Sequence, residues 1–303
     1  MDHIGRSVAA WSLRYGSLLI LLGLTGCGMS IFDAKGPVGA ANVTILIDSL
    51  AIMLAIVLPT IAAALAFAWW FRASNVRARY LPDWEHSGQL ELIVWAIPLL
   101  TITLLGGVAW TGSHELDPAV PLPSKEQPLT VQGVSPDWKW LFIYPDQHVA
   151  SVNRLVIPAG IPIRFELTSA SVMNVFFVPQ LGSMIYTMNG MRTQLNLKAD
   201  NPGTLFGLSA HFSGDGFSDM NFDVQALPPE AFQQWVTATR SGSGPALTSQ
   251  SYNELAQQSI NLAPFVYHEI EPNLFQRIVT RVLPPGPGPI NETSPGASKR
   301  GEK

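Results

Sequence analysis

The stretch GLSAHFSGDGFSDM, residues 207–220, has the spacing of a metal-binding loop but few side chains that bind metals. Ser209 and Ser213 are four residues apart, and Phe217 lies four residues further on. Met220 follows after three more. Cysteine and histidine at such positions would bind a soft transition metal through thiolate and imidazole groups. A serine hydroxyl stays protonated near neutral pH and a phenyl ring has no donor atom, so the stretch predicts a metal-site loop without its ligands.

The composition indicates a membrane protein with a soluble part. Of the 303 residues, 13% are charged and 47% are apolar. The charged share is about half of the usual value of about 25%. The net charge of −4 gives no basic surface for nucleic acid, so we expect no nucleic-acid partner. Cys27 is the only cysteine, which excludes a disulfide within the chain.

The N-terminus is typical of an exported lipoprotein. A basic start precedes the short apolar run LLILLGL at residues 18–24, which is too short to span a membrane. The following LTGC motif ends at Cys27 and resembles the bacterial lipobox, whose cysteine is diacylated and becomes the new N-terminus. We therefore expect a signal peptide at 1–26, lipidation of Cys27 as a membrane anchor, and a periplasmic segment at 27–42. The alternative is that Cys27 is an unmodified thiol.

Two apolar runs, residues 49–71 and 92–113, predict membrane-spanning helices. Neither contains Asp, Glu, Lys or Arg, and each covers the roughly 20 residues needed to cross a bilayer of about 30 Å. The segment between them carries three arginines, Arg72, Arg77 and Arg79. Positive charge favours the cytoplasmic side, so we predict a transmembrane hairpin at 43–113 with a cytoplasmic loop at 72–90 and both ends in the periplasm.

The remainder predicts a β-domain followed by a helical segment. A polar, proline-rich linker is expected at 114–128. Roughly eight short β-type runs separated by turn residues favour a β-sandwich or barrel over 129–228. Two stretches that each begin near a proline predict helices within an aromatic-rich arm at 229–283. The tail at 284–303 has almost no apolar residues and is expected to be disordered.

Several motifs in this order resemble subunit II of the haem–copper oxidases, from about residue 27 to residue 278. They are LELIVWAIPLL (90–100), DWKWLFIYP (137–145), SVMNVFFVPQLG (171–182) and the loop at 207–220. The resemblance implies a two-helix transmembrane hairpin, a periplasmic cupredoxin-like β-sandwich and a short helical C-terminal arm.

In the cytochrome c-oxidising branch of that family, the sandwich holds a dinuclear copper centre. Matched position by position, the side-chain ligands are replaced at Asn174, Ser209, Ser213 and Phe217, and the methionine is retained as Met220. His211 falls at the place that supplies only a backbone carbonyl. One ligand of five remains, and a lone thioether does not hold copper. We therefore expect no metal and no cofactor to be bound by this chain.

The copper-less branch of the family is formed by quinol oxidases, and SVMN, LGSMIYTMNGM and SGDGFSDM resemble the bo-type ubiquinol oxidases in particular. This resemblance implies a non-catalytic subunit of a proton-pumping complex in a bacterial inner membrane. Ubiquinol would be the substrate of the complex, and haems and copper would lie in subunit I. Subunits I, III and IV and membrane lipid are the implied partners.

Two further positions follow from the resemblance. Glu91 matches an acid at the mouth of a proton-uptake channel, which makes it the candidate point of proton uptake; the alternative is an ordinary interfacial acid. Trp138 and Trp140 match the aromatic patch that receives electrons from cytochrome c. Without copper, we expect both to pack in the core, together with Phe142 and Tyr144.

Two other functions stay open at this point. One is a cytochrome c oxidase subunit II with dinuclear copper, which Ser209 and Ser213 oppose. The other is a non-enzymatic membrane lipoprotein that uses a cupredoxin-like scaffold for assembly or binding.

Overall fold

The computed structural model describes residues 31–79 and 81–288. The predictions for the signal peptide at 1–26, for Cys27 and for the tail beyond residue 288 lie outside the described residues.

Two helices of the described residues, α1 (Pro37–Trp70) and α2 (Gly88–Glu115), are long and apolar enough to cross a membrane. No residue in their most apolar parts is buried by the rest of the chain. Both exceed the predicted hairpin at 43–113. The last six residues of the predicted periplasmic segment, 37–42, are already helical, because Pro37 occupies the first turn of α1 and its fixed φ suits that place.

The connection between these helices is shorter than the predicted loop at 72–90, since α2 already begins at Gly88. At the end of α1, the Arg72 guanidinium lies over the ring of Trp69, 4.9 Å from its centroid, and donates to the Trp69 carbonyl at 3.0 Å. An arginine and a tryptophan in contact at a helix end are typical of a membrane–water interface.

Ten short strands of the described residues lie between Leu129 and Leu227. They are β1 (Leu129–Ser135), β2 (Leu141–Tyr144), β3 (Val149–Val152), β4 (Arg154–Pro158), β5 (Ile163–Ser169), β6 (Asn174–Phe177), β7 (Ile185–Thr187), β8 (Thr193–Leu197), β9 (Gly203–Ser209) and β10 (Asn221–Leu227). The predicted sandwich is confirmed, and β3 and β4 are separated only by Asn153, which turns the chain with a φ of 52°.

The strands form two sheets that face each other. One has the order β12-β3-β2-β1-β5-β8, where β12 (Phe265–Tyr267) comes from the C-terminal arm, and the other has the order β4-β10-β9-β6-β7. Aromatic rings fill the space between them. The Trp140 ring meets Phe176 edge-on at 5.4 Å, and Phe142 packs on Phe222 at 5.1 Å. Such contacts between buried rings stabilise the core beyond their area alone.

The C-terminal arm contains the predicted helices as α3 (Pro229–Ser241) and α5 (Leu274–Val279). The predicted helical arm is confirmed, and it also contains short strands. Residues 241–249, which lie between the two predicted helices, include β11 (Ala246–Leu247), which pairs with β13 (Glu269–Ile270). A further helix, α4 (Ser249–Leu255), begins with a capping box on Thr248. Pairing with a distant strand decides β11 and β13, which a local pattern does not reveal.

The segment at 114–128 is not a free linker. Asn196 donates its backbone N–H to the Pro118 carbonyl at 2.9 Å and its side-chain amide to the Ala119 carbonyl at 3.2 Å. Leu116 and Leu122 pack against the sandwich core. The proline-rich composition predicted irregular backbone correctly, but these contacts fix that backbone to the domain.

The first residues of the predicted disordered tail are also ordered against the domain. Gly286 donates its N–H to the Ala170 carbonyl at 2.9 Å, and Gly288 donates to the buried carboxylate of Asp137 at 2.9 Å. The prediction of disorder from Pro284 is therefore wrong for residues 284–288, since backbone groups need no apolar side chains to bind the domain.

The start of α1 is joined tightly to the sandwich. Lys35 donates its N–H to the Gln180 carbonyl at 2.7 Å, and Gly39 donates to the Leu181 carbonyl at 3.0 Å. A Cβ on Gly36 would lie 2.0 Å from the Lys198 carbonyl oxygen, so only glycine permits this approach. The hairpin and the sandwich are thus connected at this point as well as through residues 116–128.

Candidate functional site

Four of the five positions matched to copper ligands meet at one end of the sandwich. Asn174 begins β6 and Ser209 ends β9, while Met220 directly precedes β10. The Ser209 hydroxyl donates to the side-chain oxygen of Asn174 at 3.3 Å. The Ser213 hydroxyl points at the Met220 sulfur, 3.9 Å away. All four are buried, with exposed fractions of 1–6%. The predicted loop therefore brings these four side chains together in the interior of the sandwich.

The polar groups continue across the sandwich as a hydroxyl cluster, which we define as Ser135, Asn174, Thr187 and Ser209. The Asn174 amide donates to the Ser135 hydroxyl at 3.3 Å, and Ser135 and Thr187 share a hydrogen bond of 2.8 Å. Ser135 belongs to the six-stranded sheet and the others to the five-stranded sheet. The cluster thus joins the two sheets by hydrogen bonds at the end of the sandwich where the matched positions Asn174 and Ser209 lie.

The donors present do not fit a dinuclear copper centre. Such a centre requires thiolates and neutral imidazoles, whereas the cluster supplies three hydroxyls and an amide. These groups already bind one another, and the amide of Asn174 also donates to the Val172 carbonyl at 3.3 Å. Within residues 31–79 and 81–288, no three His, Cys, Asp or Glu side chains are grouped closely enough to hold a metal ion.

The fifth position, Phe217, is not part of the cluster. It begins a single 3-10 turn (Phe217–Asp219), is half-buried and packs edge-on against Phe212 at 5.6 Å. Its neighbour in the loop, His211, packs edge-on against Tyr186 at 5.9 Å. The position matched to an imidazole ligand therefore makes an aromatic contact at the outside of the loop.

The aromatic run beside the loop is packed as predicted. Trp140, Phe142 and Tyr144 have no exposed surface or almost none. Trp138 is 7% exposed and donates its indole N–H to the Ser213 carbonyl at 3.1 Å. Burial raises the pKa of the Tyr144 hydroxyl, which donates to the Val156 carbonyl at 2.9 Å. This aromatic run therefore packs beneath the loop at residues 207–220.

Glu91 lies in the first turn of α2, at the opposite end of the hairpin from the sandwich. Its carboxylate is 3.3 Å from the Nδ1 atom of His86, and both side chains are more than half exposed. The partial positive charge at a helix N-terminus favours a carboxylate at this place. The structure therefore presents an accessible acid beside an imidazole, and it does not bring either group near the hydroxyl cluster.

Two family models match this chain. "Cytochrome C oxidase subunit II, periplasmic domain" covers residues 146–227, and "COX Aromatic Rich Motif" covers residues 242–286. The periplasmic domain of cytochrome oxidase subunit II from Bradyrhizobium japonicum is a similar solved structure, with 24% identity, a TM-score of 0.36 and coverage of 37% of this chain and 94% of that one.

Curated relatives are similar over nearly the whole chain. "Ubiquinol oxidase subunit 2" of Acetobacter aceti is 47% identical over 270 residues, covering 88% of this chain and 87% of that protein. "Cytochrome bo(3) ubiquinol oxidase subunit 2" of Pseudomonas aeruginosa is 45% identical over 270 residues, covering 89% and 81%.

The chain belongs to the ubiquinol oxidase subunit 2 family. As a member of that family, it is a non-catalytic subunit of an oxidoreductase complex and has a cupredoxin-like domain of the periplasmic type. The alternatives of a copper-bearing cytochrome c oxidase subunit and of a lipoprotein scaffold are not favoured.

Sequence reasoning missed two buried charged residues of this ubiquinol oxidase subunit, Asp137 and Lys139. Lys139 is 1% exposed and donates its ammonium group to the Leu255 and Gln257 carbonyls, at 2.9 and 2.5 Å. Burial lowers the pKa of Lys139 to about 8, and the negative charge of Asp137 acts in the opposite direction. The signal was visible in WKW, where a lysine stands between two tryptophans expected in the core. The lysine fixes the end of α4 to the sandwich.

Proposed function

We propose that this chain is the second subunit of a proton-pumping ubiquinol oxidase and that no electrons pass through it. The observation that carries the proposal is the hydroxyl cluster. Its groups are neutral and bind one another, so the loop closes the sandwich without a redox centre. Electrons from ubiquinol, the substrate of the complex, then reach oxygen through haems and copper of subunit I, which resemblance to the family assigns to that partner.

The chain contributes a membrane hairpin and a periplasmic cap to this complex. The uncovered apolar faces of α1 and α2 need partners, which we assign to subunits I, III and IV and to lipid. The arginines after α1 favour a cytoplasmic position for the connection in a bacterium, which puts the sandwich outside the inner membrane in this proposal. Lipid on Cys27 would hold the mature N-terminus at the same outer surface.

Glu91 is the proposed point of proton uptake from the cytoplasm. Its accessible carboxylate exchanges protons with bulk water, and the His86 imidazole 3.3 Å away is a second group able to carry a proton. Glu91 acts here as a group that passes protons to the partner subunit, which performs the chemistry.

The test compares electron donors on the purified complex. Ubiquinol should sustain oxygen reduction, and reduced cytochrome c should not. The same complex should lack the mixed-valence spectrum of a dinuclear copper centre. A complex with N174H, S209C, S213C and F217H, loaded with copper, is the positive control for that spectrum. Turnover with cytochrome c, or a dinuclear copper spectrum in the unaltered complex, would overturn the proposal.

A further inference from the structure

The C-terminal arm contains a groove lined by aromatic rings, which we call the arm groove. It lies between α4 and β12, and the residues that line it include Leu255, Gln258, Leu262, Phe265 and Tyr267. The rings of Phe265 and Tyr267 meet edge-on, with their centroids 5.2 Å apart. The cavity has a volume of about 410 Å³, which is within the range of known ligand-binding pockets. The groove is therefore large enough to hold a few apolar groups.

The hydroxyl of Tyr267 is a hydrogen-bond donor without an acceptor in this groove. Tyr267 is 4% exposed, and no hydrogen bond joins its hydroxyl to any of residues 31–79 and 81–288. Burial raises the pKa of Tyr267 to about 12, and the negative charge of Glu254 acts in the same direction. The hydroxyl therefore keeps its proton near neutral pH. Because buried hydroxyls are normally paired, this one indicates an acceptor that enters the groove.

The last described residues run directly to the rim of the arm groove. Gly286 donates its N–H to the Ala170 carbonyl at 2.9 Å, and the Gly288 carbonyl accepts a hydrogen bond from the side-chain amide of Gln258. Gln258 is itself one of the residues that line the groove. The residue after Gly288 therefore starts at the groove, and no linker is needed to bring it there.

The segment that follows Gly288 has a composition suited to such a groove. It reads PINETSPGASKRGEK at residues 289–303 and begins with two apolar residues, Pro289 and Ile290. Ile290 is the only large apolar side chain in this segment. Proline lacks an N–H group and favours an extended backbone whose carbonyls have no partner within the segment. The segment can therefore supply both an apolar side chain for the rings and an acceptor for the hydroxyl.

Two features favour this segment over a lipid or a separate peptide. The polar residues of the groove include Glu254, Gln257 and Ser259 but no Lys, Arg or His, whereas sites for lipid headgroups carry cations. Aromatic grooves also bind proline-rich peptides of other proteins. Such a peptide would compete with a segment tethered at Gly288, whose effective concentration at the groove is on the order of millimolar.

We propose that Pro289 and Ile290 occupy the arm groove of the same chain. Ile290 packs against Leu262 and Phe265, and a backbone carbonyl of the segment accepts the hydrogen bond of the Tyr267 hydroxyl. The interaction continues the attachment made by the preceding residues and fastens α4 and β12 to each other. It does not depend on which donor supplies electrons to the complex, so it stands apart from the proposed function.

Photo-crosslinking in the purified complex tests the position of the segment. Benzoylphenylalanine in place of Ile290 keeps an apolar group at this position. After illumination it should crosslink within the same chain, to residues 255–267, as identified by mass spectrometry. The matched control carries the same group in place of Ala297 and should give no product in that stretch. Crosslinks from position 290 to lipid, to a partner subunit, to a second copy of this chain, or to no protein group would overturn the proposal.

Hydrogen exchange of the complex gives a second readout. Ile290→Asp should raise the exchange rate of the backbone amides at 255–267 by about tenfold, because the groove loses its apolar contact and opens more often. Thr293→Asp adds the same charge to the same segment outside the groove and should leave these rates unchanged. Ile290→Leu should keep the protection of the unaltered chain.

The amides of β1 serve as the internal check of this experiment, since they should exchange equally slowly in all variants if the sandwich is folded. Equal rates at 255–267 in Ile290→Asp and in the unaltered chain would contradict the proposal. An equal rise in Thr293→Asp would also contradict it, because the effect would then come from the added charge and not from the loss of the apolar side chain.

Discussion

The hydroxyl cluster and Glu91 are built in opposite ways. Every group of the cluster finds its partner within this chain, and Asn174 and Ser209 are at most 2% exposed. The carboxylate of Glu91 has an imidazole 3.3 Å away and otherwise faces outward from an uncovered helix. The hydroxyl cluster is hydrogen-bonded within the chain and chemically inert, whereas the Glu91 carboxylate is accessible and needs a further group to receive its proton.

This difference indicates where the function of the chain lies. A closed network of neutral groups contributes to stability and offers no substrate or electron a place to bind. An exposed acid at a membrane boundary serves in proton transfer only when another subunit provides the next groups along the proton path. We therefore expect substitutions at Glu91 to change turnover and substitutions in the cluster to change folding, and the experiments on Glu91 and Asn174 test that division.

The largest effect is expected for Glu91→Ala. Loss of the carboxylate should slow quinol-driven turnover by about tenfold or more, since positioned proton-transfer groups typically contribute at least that much. The loss should grow as pH rises and protons become scarce, while haem content stays normal. Glu91→Asp should retain part of the rate. Turnover of the purified complex across the pH range measures this.

Glu115, at the other end of α2, provides the matched control, because Glu115→Ala removes the same charge on the opposite side of the membrane. Loss of haem together with subunit I in Glu91→Ala would assign the residue a structural role. Unchanged turnover at every pH would exclude it from proton uptake.

Asn174→Leu should destabilise the chain and leave the turnover of assembled complex unchanged. The substitution removes the partner of the Ser209 and Ser135 hydroxyls, and a buried polar group without a partner costs about 1–3 kcal/mol. For a domain of this size, each kcal/mol lowers the melting temperature by about 2–4 °C. Thermal unfolding of the purified chain in detergent provides the measurement. Asn221→Ala, at an exposed position on β10, should change it little.

Lys139 should give stability a pH dependence. Its pKa is lowered to about 8 in the folded chain, from an ordinary value of 10.5. Between these values the unfolded chain binds more protons, so this group makes stability rise with pH, by at most about 1.4 kcal/mol for each pH unit. Lys139→Met should remove that rise, and Lys125→Met, at an exposed position, should keep it. Unfolding by urea at pH 8 and pH 10 distinguishes the two; equal slopes would contradict the assignment.

The smallest effect is expected for Cys27→Ala. Mass spectrometry should find Cys27 as the lipid-bearing N-terminus of the wild-type chain and an uncleaved signal in the variant. The complex should still assemble and turn over, because two spanning helices hold the chain far more firmly than acyl chains do. An unmodified Met1 in the wild type would exclude lipidation.

The parts of the fold that depend on local pattern were predictable. Long runs without charged residues predicted the two long helices, and short β-type runs separated by turn residues predicted the strands of the sandwich. The arm was only partly predictable, because β12 exists through pairing with β3, where Phe265 lies opposite Val152. Its three residues carry no periodic signal of their own, so tertiary hydrogen bonds decide their conformation.

The spacing of residues in the sequence predicted only part of the candidate site, namely the positions matched to ligands. Asn174, Ser209, Ser213 and Met220 meet as expected. Ser135 and Thr187, which complete the cluster, were not predicted, since an isolated serine or threonine in a strand has no pattern that marks it as a partner. The hydrogen bond between these two hydroxyls can be recognised only once the register of the strands and the packing of the two sheets are known.

The hydrogen bond between Asp137 and Gly288 has a consequence for the order of biogenesis. The two residues are 151 positions apart, and the carboxylate is buried under the later one. The Ser171 hydroxyl, within the sandwich, donates to the same carboxylate, so the backbone of Gly288 completes a group that is partly paired earlier in synthesis. This end of the domain is therefore complete only when its last described residues have been made. A chain stopped before Gly288 would leave one oxygen of the Asp137 carboxylate without its backbone donor.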